Sequence, residues 1–225
     1  MIKKYGTYLL LCSMLLGVQM TSISYADSIK SSVTTTKKRH TLKELRDQNI
    51  VKQRLDYSCG AAALSTLLTY YFGDDTSERV LLEMLEERLS KDQQRLKQKS
   101  GFSLLDLKYI AEAKGYQAAG FKLTIEQLKH LAAPVIVFLK PLGYRHFAVL
   151  RGIRDGRVFI ADPSRGNLRM SIHRFLAEWD GIIFVLGHPN EKNITDYPLA
   201  VPKVVARPEL LGVTRLLDVA SHQNN

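Results

Sequence analysis

The run Cys59-Gly-Ala-Ala-Ala-Leu-Ser-Thr-Leu-Leu-Thr-Tyr-Tyr-Phe-Gly73 constrains this chain more than any other stretch. It lacks a charged face, so as a helix it has to be buried, and Gly73 supplies a natural stop. A cysteine opens it. A thiol at a helix N-terminus faces unpaired N–H groups and the positive end of the helix dipole, which favour the nucleophilic thiolate. Gln53, upstream of it, offers a further side-chain N–H donor. A second reading is as direct: free cysteine is among the most buried residue types and packs as a small hydrophobe.

Two later segments favour the chemical reading. Arg145-His146-Phe147-Ala148-Val149-Leu150 is a strand-like run headed by a histidine, and Val158-Phe-Ile-Ala-Asp162-Pro163 is one that ends in a carboxylate. A thiol nucleophile needs a base and a group that orients the base, each distant in sequence and each at the edge of a regular element. Cys59, His146 and Asp162 meet that description.

The first half of the chain reads as helical. Thr76 or Ser77 opens a helix over 78–97 with Val80, Leu81, Met84, Leu85, Leu89 and Leu96 on its apolar face and its charged residues in solvent. Ser100-Gly101 breaks it. Ser103 with Asp106, and Thr124 with Gln127, have capping-box spacing for two more helices, with a strand over 116–123 between them. The second half reads as strands over 135–140, 146–154, 157–161, 167–172 and 182–186, and Asp155-Gly156 is a hairpin turn. That hairpin puts His146 and Asp162 at one edge of a sheet. The expected architecture is α+β, a helical half carrying the nucleophile packed on an antiparallel sheet carrying His and Asp. Trp179, after Phe175 and Leu176, is expected to be core on a short helix.

The flanks read differently. Residues 1–26 have the layout of a signal peptide: Lys3 and Lys4, an apolar stretch over 9–20, then Ser24-Tyr25-Ala26. Cys12 lies inside it after Leu11, not after the small residue that lipoprotein processing prefers. Export is therefore expected, with a periplasmic destination and Cys59 as the one cysteine of the mature chain. Residues 27–49 read as a flexible lead-in, 50–187 as the domain, and 188–225 as a tail holding Pro189, Pro198, Pro202 and Pro208. The net charge of +10 falls to +8 without Lys3 and Lys4. The basic residues are scattered without interleaved aromatics, so nucleic acid is not an expected partner, whereas peripheral membrane contact is compatible with them. His40, His130, His173, His188 and His222 lack metal-ligand spacing, and neither a metal nor a cofactor is expected.

Taken together, Gln-x5-Cys-Gly-Ala-Ala before an apolar helix, then His-Phe-Ala-Val, then Asp-Pro, resembles the double-glycine leader peptidases of peptidase family C-39, over about residues 50–186. The resemblance implies a papain-like fold and cysteine peptidase activity. It implies catalytic roles for Cys59, His146 and Asp162 and assigns Gln53 to the oxyanion hole. Tyr57 and Tyr144 are candidate substrate-binding walls near these residues in sequence, with Leu55 and Phe147. Many family members are N-terminal domains of ABC exporters, but this sequence has no Gly-x4-Gly-Lys-Ser/Thr phosphate loop. Its layout resembles instead the stand-alone exported relatives found with functional-amyloid export systems. The expected partner is thus a peptide or protein substrate, such as an amyloid subunit or a component of the export machinery. A peptide-binding module that escorts an export substrate, and a Cys-His-Asp acyltransferase, use the same residue types.

Overall fold

In the computed structural model, the described residues are 41–188 and 194–201. The expected signal peptide and most of the expected tail lie outside them. The helix of the opening run forms as α2 (Cys59–Leu67) and continues through a π-helical turn, Leu68–Phe72, to Gly73 in the left-handed conformation. Every residue of α2 is buried.

The expected 78–97 helix is two helices, α3 (Glu78–Glu86) and α4 (Lys91–Ser100). Ser90 and Gln93 form a capping box that starts α4 afresh, a signal with the same spacing as the two boxes read from sequence. The break takes Leu96 off the apolar face, leaving it 61% exposed, and Leu82 is buried in the core instead. Ser77 is the cap that opens α3. The boxes at Ser103 and Thr124 start α5 (Leu104–Ala113) and α6 (Ile125–Lys129) as expected. A further box, Thr41 with Glu44, makes a short helix α1 (Leu42–Asp47) within what the sequence suggests is an irregular lead-in.

Among the described residues six antiparallel strands form one sheet: β1 (Gln117–Lys122), β2 (Val135–Leu139), β3 (His146–Arg154), β4 (Arg157–Asp162), β5 (Gly166–Ser171) and β6 (Trp179–Gly187). Their order is β1-β6-β2-β3-β4-β5. Trp179 begins β6 and does not sit within α7 (Ile172–Glu178); it stacks on Phe175 and donates from Nε1 to the Ile182 carbonyl, a buried core residue as expected.

Both faces of the sheet are covered, which explains the near-continuous apolar sequence of β2 and β3. Ile136, Phe147, Val149, Ala161 and Phe184 pack with α2, α3 and α5, while Val137, Ala148, Leu150, Ile160 and Ile183 pack with Phe175 and Leu128 on the other side. Part of the expected tail runs over the domain: Leu199 is fully buried, and Arg151 donates to the Leu199 and Ala200 carbonyls at 2.8 and 2.9 Å. Among the described residues no helix is long and apolar enough to cross a membrane.

The contact between α1 and β5 depends on Gly166. Its φ of +88° belongs to glycine, and a Cβ there would lie 2.6 Å from Arg46 Cγ and 2.8 Å from the Arg46 carbonyl. Gly166→Ala is therefore expected to cost about 1–3 kcal/mol in urea unfolding. Limited proteolysis should then cut at α1 sooner than in the wild type; unchanged stability and digestion would mean that α1 does not press on β5.

Candidate active site

A buried acid shapes the loop before the cysteine. Glu78, the first residue of α3 and 4% exposed, accepts the Arg54 N–H at 3.1 Å and the Ser58 hydroxyl. The Ser58 oxygen also accepts the Leu55 N–H at 3.2 Å. Engaged in this way, Ser58 makes no side-chain cap on α2. The first-turn N–H groups of α2, beginning with that of Cys59, therefore have no partner within the helix.

Cys59 lines a cleft of about 770 Å³ together with His146. The rest of the lining comes from Asp56 and Tyr57, the C-terminal end of α4, the turn before β3, and Ser164 and Arg165. The close approach of α2 to β3 that places Cys59 beside His146 depends on Gly60, where a Cβ would stand only 3.2 Å from Phe147 and Leu107. His146 Nε2 is 3.1 Å from Asp162 Oδ1. Asp162 is wholly buried at the end of β4. Its Oδ1 accepts the Ser164 and Arg165 N–H groups at 2.9 and 2.8 Å and the Ser164 hydroxyl at 2.8 Å, and its Oδ2 accepts Arg165 Nε at 2.8 Å.

The other sequence candidates fall into two groups. Tyr57 and Tyr144 line the cleft, Tyr57 edge-on to Phe102 and Tyr144 76% exposed. Phe147 points into the core, and Leu55 is outside the cleft lining. Gln53 is tied next to the site by its backbone, whose N–H donates to the Pro163 carbonyl at 3.1 Å. Its side chain turns to its own loop, donating from Nε2 to the Leu55 carbonyl at 3.0 Å, and it borders a separate hollow with Ser77 and Arg79.

A thiol and an imidazole thus share one cleft, with a buried carboxylate behind the imidazole. The profile of the Peptidase C39 family matches residues 47–191. The chain belongs to that family. It is a cysteine peptidase with a papain-like fold. Two relatives carry the name "Probable functional amyloid protease FapD". The one from Pseudomonas fluorescens is 41% identical over 158 residues, 69% of this chain and 68% of the relative. The one from Pseudomonas aeruginosa is 33% identical over 183 residues, 81% of this chain and 76% of the relative. Among solved structures, the peptidase domain of Streptococcus ComA, a bi-functional ABC transporter involved in quorum sensing, superposes with a TM-score of 0.53 at 25% identity, covering 62% of this chain and 97% of that domain.

Charge in this peptidase is distributed unevenly around His146. Burial alone would lower the imidazole pKa, but the Asp162 carboxylate and the Cys59 side chain outweigh it and raise it to about 9. For Asp162, burial pushes the carboxyl up, while His146, the Arg165 N–H and the Arg165 charge hold it well below the usual carboxylate range. Glu78, Ser164 and Arg165 were not singled out in the sequence. Ser164 was detectable, since Asp-x-Ser has the spacing of a carboxylate that bonds the backbone two residues on. Glu78 reads as part of a solvated helix face, and only the tertiary structure shows that it is buried.

These shifts predict a pH-dependent stability. Because the folded pKa of His146 lies above its unfolded value of about 6.5, its contribution is whole below that pH and is lost as pH rises through 9. Asp162 acts in the opposite sense: its contribution holds at neutral pH and is lost in acid. Urea unfolding should show the wild type losing on the order of 2–3 kcal/mol between pH 6 and 9. His146→Gln should remove most of that slope, and equal slopes in the two proteins would contradict it.

Proposed function

We propose that Cys59, His146 and Asp162 are the catalytic residues and that the chain processes a protein of a functional-amyloid export system. The placement of the Cys59 thiol at an uncapped helix N-terminus, in one cleft with a histidine backed by a buried carboxylate, carries this reading. In the mechanism, Cys59 Sγ attacks the scissile carbonyl, and His146 gives its proton to the leaving amine as the C–N bond breaks. Water, deprotonated by the now neutral imidazole, hydrolyses the thioester, releasing the acid and regenerating the thiolate–imidazolium pair. Asp162, fixed by Ser164 and Arg165, keeps the ring oriented through both steps. The Cys59 backbone N–H is the first oxyanion donor. One Gln53 amide hydrogen is committed to Leu55, which leaves the other for the second donor.

The substrate class rests on the two relatives named as functional amyloid proteases. The cut site we assign follows small residues such as Gly-Gly, whose missing side chains let the substrate backbone approach a thiol that is only 8% exposed. Residues 1–26 support export of the chain, with catalysis beyond the inner membrane. The test is incubation of the purified protein with amyloid subunits and export components of its own organism, read by mass spectrometry. The wild type should yield two fragments at a small-residue site. Cys59→Ala should yield none, and Gln53→Ala should be slower by about 10²–10³. Cleavage by Cys59→Ala, or a transfer adduct in place of two fragments, would overturn the proposal.

A further inference from the structure

The turn between β2 and β3 is built around a residue that its own geometry disfavours. Leu142 has φ 52° and ψ 26°, a left-handed conformation that bulky side chains rarely adopt and that Asn or Gly takes readily. Its side chain is 96% exposed, so burial does not compensate. The turn itself is firmly anchored. The Gly143 N–H donates to the Lys140 carbonyl at 3.1 Å and the Tyr144 N–H to the Pro141 carbonyl at 3.0 Å, while the Lys140 N–H donates to the Glu178 carbonyl at 2.7 Å. Lys140 also pairs through Nζ with Asp180 at 2.8 Å. A strained and exposed leucine on a rigid turn has no role in holding the fold together. It does line the cleft that holds Cys59 and His146, with the 76%-exposed Tyr144 two residues on.

We infer that Leu142, together with Tyr144, is a specificity-determining contact that receives an apolar side chain of the substrate just after the scissile bond. The occupant is a substrate chain because the same cleft contains the thiol. The side of the cut follows from the chemistry: His146 protonates the leaving amine, so the residues after the cut lie on the histidine side, and the turn leads directly into His146. Leu142 and Tyr144 together form an apolar lip there. Strain accepted at a binding position and absent elsewhere in the hairpin is the pattern expected where the turn serves a ligand in preference to the fold.

This inference rests on the proposed cut site for the reaction but not for binding, and the experiment separates the two. Two synthetic peptides carry a central Gly-Gly followed by Leu in one and by Ser in the other. Binding is measured by fluorescence polarisation to Cys59→Ala protein with and without Leu142→Asn, and cleavage is measured with Cys59 intact. Leu142→Asn should reduce the preference for the Leu peptide over the Ser peptide by about tenfold, in binding and in KM. The melting temperature should stay the same or rise, because Asn suits the left-handed position. Loss of preference in binding with no cleavage of either peptide by the wild type would support the contact while defeating the proposed cut after Gly-Gly. An unchanged preference would overturn the inference. So would a fall in kcat common to both peptides, or a lowered melting temperature, since each would assign Leu142 a structural role.

Discussion

The Asp162 carboxylate is the group on which the site depends. A wholly buried charge is costly unless every oxygen finds donors, and the chain supplies them within three residues: two backbone N–H groups, the Ser164 hydroxyl and the Arg165 guanidinium. This local cage keeps the acid ionised at the end of β4. His146, at the start of the neighbouring β3, then has a fixed anion on one side and the Cys59 thiol on the other. The hairpin through Asp155-Gly156 sets the alignment, because the two strands it joins bring their far ends to the same sheet edge.

Rigidity around this edge comes from the sheet being covered on both faces. β2 and β3 alternate between two apolar clusters, so a one-residue slip would exchange the side chains of the two cores and mismatch the packing on both faces. On one face, Gly60 lets α2 come close enough to Phe147 for its first residue to sit beside His146. Nucleophile and base are thus positioned by core packing, and the loops contribute chiefly the walls of the cleft.

The strands and the residues of the site were legible because their signals are local. Apolar runs of strand length, Asp-Gly and the position of Cys59 ahead of a chargeless helix each depend on neighbours in sequence. The break between α3 and α4 was also locally encoded, in Ser90 and Gln93, but an apolar pattern that continued through Leu89 and Leu96 masked it. Other features depend on tertiary contacts alone. Glu78 is buried because loop 54–58 folds back over it, and Arg165 reaches Asp162 because the chain turns sharply after Pro163. α1 is held by β5, where Asn167 donates to the Gln48 carbonyl at 2.8 Å. Gln53 too is placed by tertiary contact: its backbone N–H donates to the Pro163 carbonyl beside Asp162, and its amide donates to the Leu55 carbonyl.

The central claim is that His146 activates Cys59, and alkylation of the thiol tests it without any knowledge of the substrate. Iodoacetamide should modify folded wild-type protein at pH 7 faster than it modifies the urea-unfolded chain, because only the folded cleft pairs sulfur with imidazolium. In folded His146→Ala the rate should fall at least tenfold, below that of the unfolded chain. Equal slow rates in the folded wild type and in His146→Ala would mean that Cys59 is an inert buried thiol and that the arrangement of the three residues has no catalytic consequence.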